Sequence, residues 1–193
     1  MIKYNTLSYL IFAALVMPTI CFGPHAFAEV INCEPGSINC SGTSGDDIIK
    51  GTDVGDEISG GDGNDKINGF GEHDQLIGGF GDDVLLGGSD NKHDYLEGRA
   101  GNDRLDGGRG DDTMLGDDED GNSAADAGAD ILLGGQGNDQ LFHSQYIESH
   151  GGAPLQSDGS IDKLDCGPGN DEAWINESTD HDEVKNCEIV HKG

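Results

Sequence analysis

The sequence has few basic residues, few aromatic residues and, after residue 28, few large aliphatic ones. Lys and Arg number 10 against 38 Asp and Glu, which gives a formal net charge of −28. Such a surface repels nucleic acid and anionic membranes and attracts cations. Aromatic residues are 6% of the chain, and Leu, Ile, Val and Phe make up 31 of the 165 residues after position 28. This composition is typical of a chain that does not fold until its acids are neutralised.

The one long apolar run lies at the N-terminus. Residues 1–28 contain an early lysine, an apolar run over 7–20 and the sequence Ala-Phe-Ala at 26–28. This pattern predicts a cleaved export signal, and hence a secreted or cell-surface protein. A membrane anchor is the alternative, but the run is short and contains Pro18. A lipid-modified Cys21 is a second, minor alternative.

Cysteine is scarce, and its number fits export. Five are present, and four remain after the signal: Cys33, Cys40, Cys166 and Cys187. An even count in an exported chain predicts two disulfides. Proximity favours pairing the first two and the last two, while the other two connectivities stay open. A zinc site is the competing interpretation, but the sequence has no C-x-x-C.

Glycine, by contrast, is abundant, with 33 residues, and it recurs with a period of nine. The clearest copies are "GGDGNDKIN" (60–68), "GGFGDDVLL" (78–86), "GGRGDDTML" (107–115) and "GGQGNDQLF" (134–142). The period extends over 42–142, with two extra residues in 87–97. The longer unit 116–133 is interpreted as one unit with a nine-residue loop, or as two coils of which one is defective. A fixed period of this kind predicts a solenoid.

Each position of the nonapeptide has a physical role. Glycines at positions one, two and four permit positive φ and sharp turns with inward carbonyls. Position eight holds one apolar residue per unit, which predicts a thin core of stacked side chains. Position six is aspartate, as in Asp47, Asp56, Asp65, Asp74, Asp83, Asp94, Asp103, Asp112, Asp130 and Asp139.

The repeats also predict a metal. Carboxylates beside carbonyls are hard oxygen donors, which suit Ca²⁺ with about 6–8 oxygens better than Mg²⁺. The repeats offer little Cys or His for softer metals. The predicted calcium ligands, for several ions, are these ten aspartates, Asp171, and the carbonyls of Gly60, Gly61, Gly63, Gly78, Gly79, Gly81, Gly107, Gly108, Gly110, Gly134, Gly135 and Gly137.

The pattern G-G-x-G-x-D-x-U-x, with U a large apolar residue, resembles the RTX (repeats-in-toxin) haemolysin-type calcium-binding family. The resemblance covers 42–142, with a weaker unit at 166–174, "CGPGNDEAW". It implies an all-β parallel β-roll with two nonapeptides per coil and Ca²⁺ between coils. It also implies that units two apart share an ion, so that Asp47, Asp65 and Asp83 line one edge and Asp56, Asp74 and Asp94 the other.

Some units depart from the pattern. Val54 and Glu72 replace the fourth glycine of their units. Both belong to the edge of Asp56 and Asp74, which is therefore expected to bind calcium more weakly.

The segments outside the array are interpreted as caps and a loop. Residues 29–41 and 162–193 are expected to cap the two ends, each with a disulfide, and the second includes a degenerate repeat. Residues 143–161 interrupt the array. They are interpreted as a surface loop, although His143 and His150 leave open a metal or catalytic site.

Position nine should face outward, yet it is apolar in several units: Ile77, Leu86, Leu115, Leu133 and Phe142. Packing against neighbouring strands is one explanation. A contact surface for a protein partner or for another copy of the chain is the other.

Two classes of function remain at this point. The first is a non-enzymatic, exported protein that folds when it binds extracellular calcium, with adhesion or cell-surface matrix as one use. The second is a small secreted hydrolase, since catalytic domains accompany such repeats in the family that the chain resembles. The repeats leave no room for a separate catalytic domain, which favours the first class.

Overall fold

The fold was analysed in a computed structural model that describes residues 28–35, 39–117, 128–143, 161–175 and 181–192. In these ranges the chain forms sixteen strands and no helix. The predicted export signal lies outside them, apart from Ala28. In the described part of the chain, no helix is long and apolar enough to cross a membrane.

The strands alternate between two parallel sheets of eight strands each. The first sheet contains, in order, β1 (Val30–Asn32), β3 (Ile48–Lys50), β5 (Lys66–Phe70), β7 (Val84–Gly88), β9 (Arg104–Arg109), β11 (Ile131–Gln136), β13 (Lys163–Asp165) and β15 (Glu183–Lys185). The second contains β2 (Cys40–Ser41), β4 (Glu57–Asp62), β6 (Gln75–Phe80), β8 (Tyr95–Ala100), β10 (Thr113–Leu115), β12 (Gln140–Phe142), β14 (Glu172–Ile175) and β16 (Ile189–Lys192). Each coil therefore uses two nonapeptides, and the predicted all-β solenoid is confirmed.

The core consists of two stacked rows of position-eight side chains, one from each sheet. Register pairs Ile49 with Ile67 and Ile67 with Leu85 in one sheet, and Ile58 with Leu76 in the other. These residues are fully buried between the sheets, together with Leu96, Leu105, Met114, Leu132, Leu141, Leu164 and Ala173. A segment of two to six residues forms a strand because equivalent segments pair with it above and below.

The glycines perform two different tasks. Positions two and four have positive φ, as predicted, in Gly61, Gly63, Gly79, Gly81, Gly101, Gly108, Gly110, Gly135 and Gly137. Position one does not need positive φ. A Cβ on Gly107 would lie 2.5 Å from Oδ2 of Asp112 and 2.9 Å from the carbonyl oxygen of Gly134, so glycine is required there by close approach.

The departures from the pattern leave local strain. Phe70 and Glu72, at positions two and four of unit 69–77, have φ of 80° and 66°. Non-glycine residues are uncommon in this region of φ, and such conformations cost about 1–3 kcal/mol each. The turn of unit 69–77 therefore has a higher conformational energy than the turns of units 60–68 and 78–86, which have glycine at both positions.

The long unit adds one strand to the solenoid. β11 pairs directly with β9, and Asp130 follows Gly128 and Ala129 at position six. The described residues of this unit, 116–117 and 128–133, therefore contribute to a single strand, and residues 118–127 lie outside the described ranges.

The ends are closed by disulfides. Cys33 is bonded to Cys40 and Cys166 to Cys187, so the pairing favoured by proximity is confirmed. The N-terminal bond joins the residue after β1 to β2, and the C-terminal bond joins Cys166, which follows β13, to Cys187, which lies between β15 and β16. Both disulfide-bonded segments continue the two sheets at the ends of the array.

The apolar residues at position nine do not form a continuous stripe. In the first sheet Asp106 stands between Leu86 and Leu133. In the second, Glu97 separates Ile77 from Leu115, and only towards the C-terminus do apolar rings adjoin. There Phe142 stacks on Trp174 with ring centroids 4.3 Å apart. A partner surface stays a prediction.

Candidate metal centre

The aspartates of position six form two columns, one along each edge of the solenoid. The first edge contains Asp47, Asp65, Asp83, Asp103, Asp130, Asp162 and Asp182; the second edge contains Asp56, Asp74, Asp94, Asp112, Asp139 and Asp171. Each residue immediately precedes a strand, so strand register stacks the carboxylates. Successive units alternate between the two edges, so the predicted aspartates lie on the edges to which the sequence analysis assigned them.

In all of these aspartates except Asp56, one carboxylate oxygen connects two coils within the described ranges. The amide of Asp65 donates to Oδ1 of Asp83 (2.7 Å), and the amide of Asp83 donates to Oδ1 of Asp103 (2.8 Å). The same contact recurs on the second edge, where the amide of Asp74 donates to Oδ1 of Asp94 (2.9 Å). Oδ1 is therefore committed to the backbone of the preceding coil.

The other oxygen is buried and accepts no hydrogen bond within the described ranges. This holds for Oδ2 of Asp65, Asp74, Asp83, Asp94, Asp103, Asp112, Asp130, Asp139 and Asp171. Leaving a buried carboxylate oxygen unsatisfied is costly. Its repetition in nine units indicates that a cation satisfies it.

Eight of these nine oxygens face a glycine cradle; the exception is Asp171, whose unit has Cys166 at position one. Oδ2 of Asp112 and the carbonyl oxygen of Gly134 both approach the point where a Cβ of Gly107 would lie. Gly60, Gly78 and Gly134 take the same place in their units, each beside its own aspartate and a carbonyl of the next coil on that edge. Of the predicted glycine ligands, those at position one border the carboxylates, and those at positions two and four shape the turn around them.

Burial makes these carboxyls hard to ionise without a cation. Loss of solvent, with smaller contributions from neighbouring aspartates, raises the pKa of Asp74, Asp83 and Asp112 to about 7. The pKa of Asp103 is also raised to about 7, and that of Asp130, the most deeply buried, to about 10. A bound divalent cation would reverse this balance because it favours the charged form.

The first aspartate of each edge differs from the rest. Oδ2 of Asp47 accepts from the amide (2.6 Å) and the hydroxyl (2.9 Å) of Thr43, which replaces the glycine of position two. Thr52 makes the same two contacts with Asp56, at 2.6 and 3.0 Å. Burial opposes ionisation of Asp47, but the hydrogen bonds from Thr43 and Glu29 together lower its pKa. In these two units the Oδ2 atom borders a glycine cradle, at Gly42 and Gly51, and also accepts from threonine.

Position five adds an outer column of hydrogen bonds on each edge. The amide of Asp82 donates to Oδ1 of Asn64 (2.8 Å), and Asn102 donates to Oδ1 of Asp82 through its amide (2.8 Å) and Nδ2 (2.9 Å). These side chains are exposed. Sequence reasoning missed this column, although Asn or Asp recurs at position five of most units.

Three further acidic side chains extend the columns, and none of them was among the predicted calcium ligands. The amide of Asp130 donates to Oδ1 of Asp162 (2.8 Å), and that of Asp162 to Asp182 (3.1 Å). On the second edge the amide of Asp171 donates to Oε2 of Glu188 (2.9 Å). The available signal was an acid two residues before the apolar positions Leu164, Val184 and Val190.

The prediction of a surface loop beginning at residue 143 is wrong for His143. This residue is fully buried because it directly follows position nine and takes position one of the next unit. Its carbonyl oxygen lies where a glycine carbonyl lies in the other units. His150 is outside the described ranges.

The donor set fits calcium. Each repeat supplies an anionic oxygen in a backbone pocket bordered by carbonyl oxygen, and hard oxygen ligands are those that Ca²⁺ prefers. The fold and the site together define a parallel β-solenoid with metal-binding edges.

Comparison with known families agrees with this class. Four copies of the RTX calcium-binding nonapeptide repeat match residues 41–69, 68–91, 89–122 and 124–144, about half of the chain. The chain therefore belongs to the RTX calcium-binding repeat family, and calcium is its ligand. No curated protein matches it.

Proposed function

We propose that the protein is an exported, non-enzymatic calcium-binding protein whose fold depends on the ions along its edges. The observation that carries the proposal is the buried Oδ2 atom that accepts no hydrogen bond in nine described units. A chain with a net charge of −28 has no reason to bury these oxygens unless a cation accompanies them.

The proposed ligands follow from the contacts of Oδ2. The ions are held by Asp65, Asp74, Asp83, Asp94, Asp103, Asp112, Asp130, Asp139 and Asp171, with the carbonyl oxygens around position one. Asp47 and Asp56 lie outside this set, because Thr43 and Thr52 donate to their Oδ2 atoms. The predicted weaker binding on the second edge stays part of the proposal, supported by the strained turn at Phe70 and Glu72.

Two adjacent aspartates provide the sharpest test. Asp83 is buried and presents Oδ2 to the cradle of Gly78, whereas Asp82 is exposed and accepts hydrogen bonds from Asn102. We expect Asp83→Asn to weaken calcium binding at that edge by tenfold or more, since one anionic ligand is lost. Asp82→Asn removes the same charge and is expected to change the affinity little, since Asn64 already fills the equivalent position. Isothermal titration with Ca²⁺ measures both.

The same two variants distinguish calcium bound at discrete sites from calcium that only screens the net charge. If calcium only screens the net charge, the two variants will show the same small shift, and the proposed ligands are wrong. The stability of the two variants against unfolding should depend on calcium in opposite ways. With calcium, Asp83→Asn should be the less stable variant; without calcium, it should be the more stable one, because it removes a buried carboxyl whose pKa is raised by desolvation. Urea unfolding with and without calcium checks the reversal.

Export is supported by two features. Residues 1–28 have the pattern of a cleaved signal, and both disulfides close at the ends of the array, as in proteins from oxidising compartments. We infer that the mature chain starts at Glu29 outside the cytoplasm. Intact mass of protein recovered from the culture medium tests this; retention of residues 1–28 would oppose it.

No catalytic role is assigned. The matched repeats cover most of residues 41–144, and calcium accounts for their buried carboxylates. Hydrolysis of generic esterase or protease substrates by the purified protein would reopen the hydrolase alternative.

A further inference from the structure

A histidine stands at position one near the C-terminal end of the first edge. The other units of the array carry glycine there, as in Gly60, Gly78 and Gly116. His143 follows Phe142 of β12, and its carbonyl oxygen accepts from the amide of Asp117 (3.2 Å), so the backbone stays in register. The side chain therefore enters the space that is a bare cradle in the rest of the column.

This imidazole points at two carboxylates. Nδ1 of His143 lies 3.5 Å from Oδ2 of Asp162 and 3.7 Å from Oδ2 of Asp182. All three atoms lie within 4.8 Å of one another. None of the three side chains has exposed surface. A histidine and two carboxylates thus converge inside the solenoid from two successive coils.

We propose that His143, Asp162 and Asp182 form a separate site for a borderline divalent transition metal such as Zn²⁺ or Co²⁺. Imidazole nitrogen is a preferred ligand of these ions, whereas Ca²⁺ is bound through oxygen alone. The nitrogen replaces the all-oxygen cradle of the preceding units. The solenoid would then carry calcium along its length and a different metal at its end.

The two N–O spacings fit a small tetrahedral ion, and the two carboxylate oxygens, which lie within 4.8 Å of each other, would move closer together when it binds. Metal–ligand distances of about 2.0–2.2 Å in a tetrahedral site place neighbouring ligand atoms about 3.3–3.6 Å apart. The two N–O distances, 3.5 and 3.7 Å, are close to this range. Three protein ligands leave a fourth position for water or another donor.

The site would also stabilise the C-terminal coil. Asp162 directly precedes β13, and Asp182 directly precedes β15, the last strand of the first sheet. A metal shared between them would hold this terminal coil to the array, beside the disulfide Cys166–Cys187.

Cobalt is the probe, since tetrahedral Co²⁺ absorbs visible light far more strongly than the hexaaqua ion. Untagged, disulfide-bonded protein is titrated with Co²⁺ in excess Ca²⁺, and then with Zn²⁺. We expect one equivalent to bind with a visible band that Zn²⁺ removes. His143→Gly, which restores the repeat residue, should abolish the band and weaken binding more than about 100-fold, since even outer-shell losses cost 10–100-fold.

Two further variants keep the test decisive. Asp182→Asn retains shape and removes one ligand, so it should also lose the band while circular dichroism in Ca²⁺ stays unchanged. His191→Gln is the matched control: its Nε2 lies 3.1 Å from Oε2 of Glu172, but the pair is exposed, and the band should persist. Failure of the wild type to bind one equivalent, an intact band in His143→Gly, or displacement of Co²⁺ by Ca²⁺ would overturn the proposal.

Discussion

In a calcium chelator at pH 7.5, the mature chain is expected to lose most of its β structure, and Ca²⁺ is expected to restore it. The buried Oδ2 atoms of successive coils are ionised at this pH only at a cost, since desolvation raises the pKa of several carboxyls to about 7 or above. The core that opposes this cost is one aliphatic side chain per unit, as in Ile67 and Leu85. An ion that binds only the folded form adds its binding free energy to folding.

Two probes measure this transition. Far-UV circular dichroism reports the sheets, and fluorescence reports Trp174, the single tryptophan, which stacks between Phe142 and His191. Both signals should change together on titration with Ca²⁺ if the coils fold cooperatively. Mg²⁺ is the control and should be far less effective, because it requires a strict octahedron and keeps its waters. A complete β spectrum in chelator, unaffected by millimolar Ca²⁺, would contradict the account.

Mild acid is expected to replace calcium in part. The folded-state pKa of Asp74, Asp83, Asp103 and Asp112 is about 7, above the ordinary value of 3.8. The folded state therefore keeps protons that the unfolded chain releases. The resulting stabilisation is complete below about pH 4 and is lost as pH rises through about 7. Calcium-free protein should thus gain β structure between pH 7.5 and pH 5.

The experiment uses protein freed of calcium on a chelating resin, since soluble chelators weaken in acid. Circular dichroism is followed from pH 8 to pH 5, and the calcium midpoint is measured at pH 8 and pH 6. Protons compete with Ca²⁺ for the same oxygens, so the midpoint should move to higher Ca²⁺ at pH 6. Two results would show that these carboxyls do not control folding. One is a calcium-free chain that stays unfolded at pH 5; the other is a calcium midpoint that is lower at pH 6 than at pH 8.

Periodicity was sufficient to predict the solenoid, and the resemblance to the RTX repeats implied two nonapeptides per coil. Together they place Asp65 beside Asp83 and Ile67 beside Leu85, whatever the intervening residues. Proximity favoured the observed disulfides without excluding the other pairings; the bonded cysteines are 7 and 21 residues apart.

What the sequence did not disclose depends on contacts within a coil. The period marks Asp47 as equivalent to Asp83, but only the structure places the Thr43 hydroxyl on its Oδ2. Likewise His143 is separated from Asp162 by 18 residues, and the inserted segment conceals that both belong to one unit. The insertion interrupts the nine-residue period of the sequence, but the strands on either side of it still pair in register.

The central claim is that calcium lies at the Oδ2 atoms in the glycine cradles. Anomalous diffraction from crystals grown in Ca²⁺ locates the ions directly. The account predicts calcium peaks along both edges, each within about 2.3–2.6 Å of an Oδ2 atom such as that of Asp83 or Asp112 and of carbonyl oxygens from adjacent coils. Peaks at exposed acids such as Asp82 and Asp111, with the Oδ2 atoms of the buried columns uncoordinated, would contradict it.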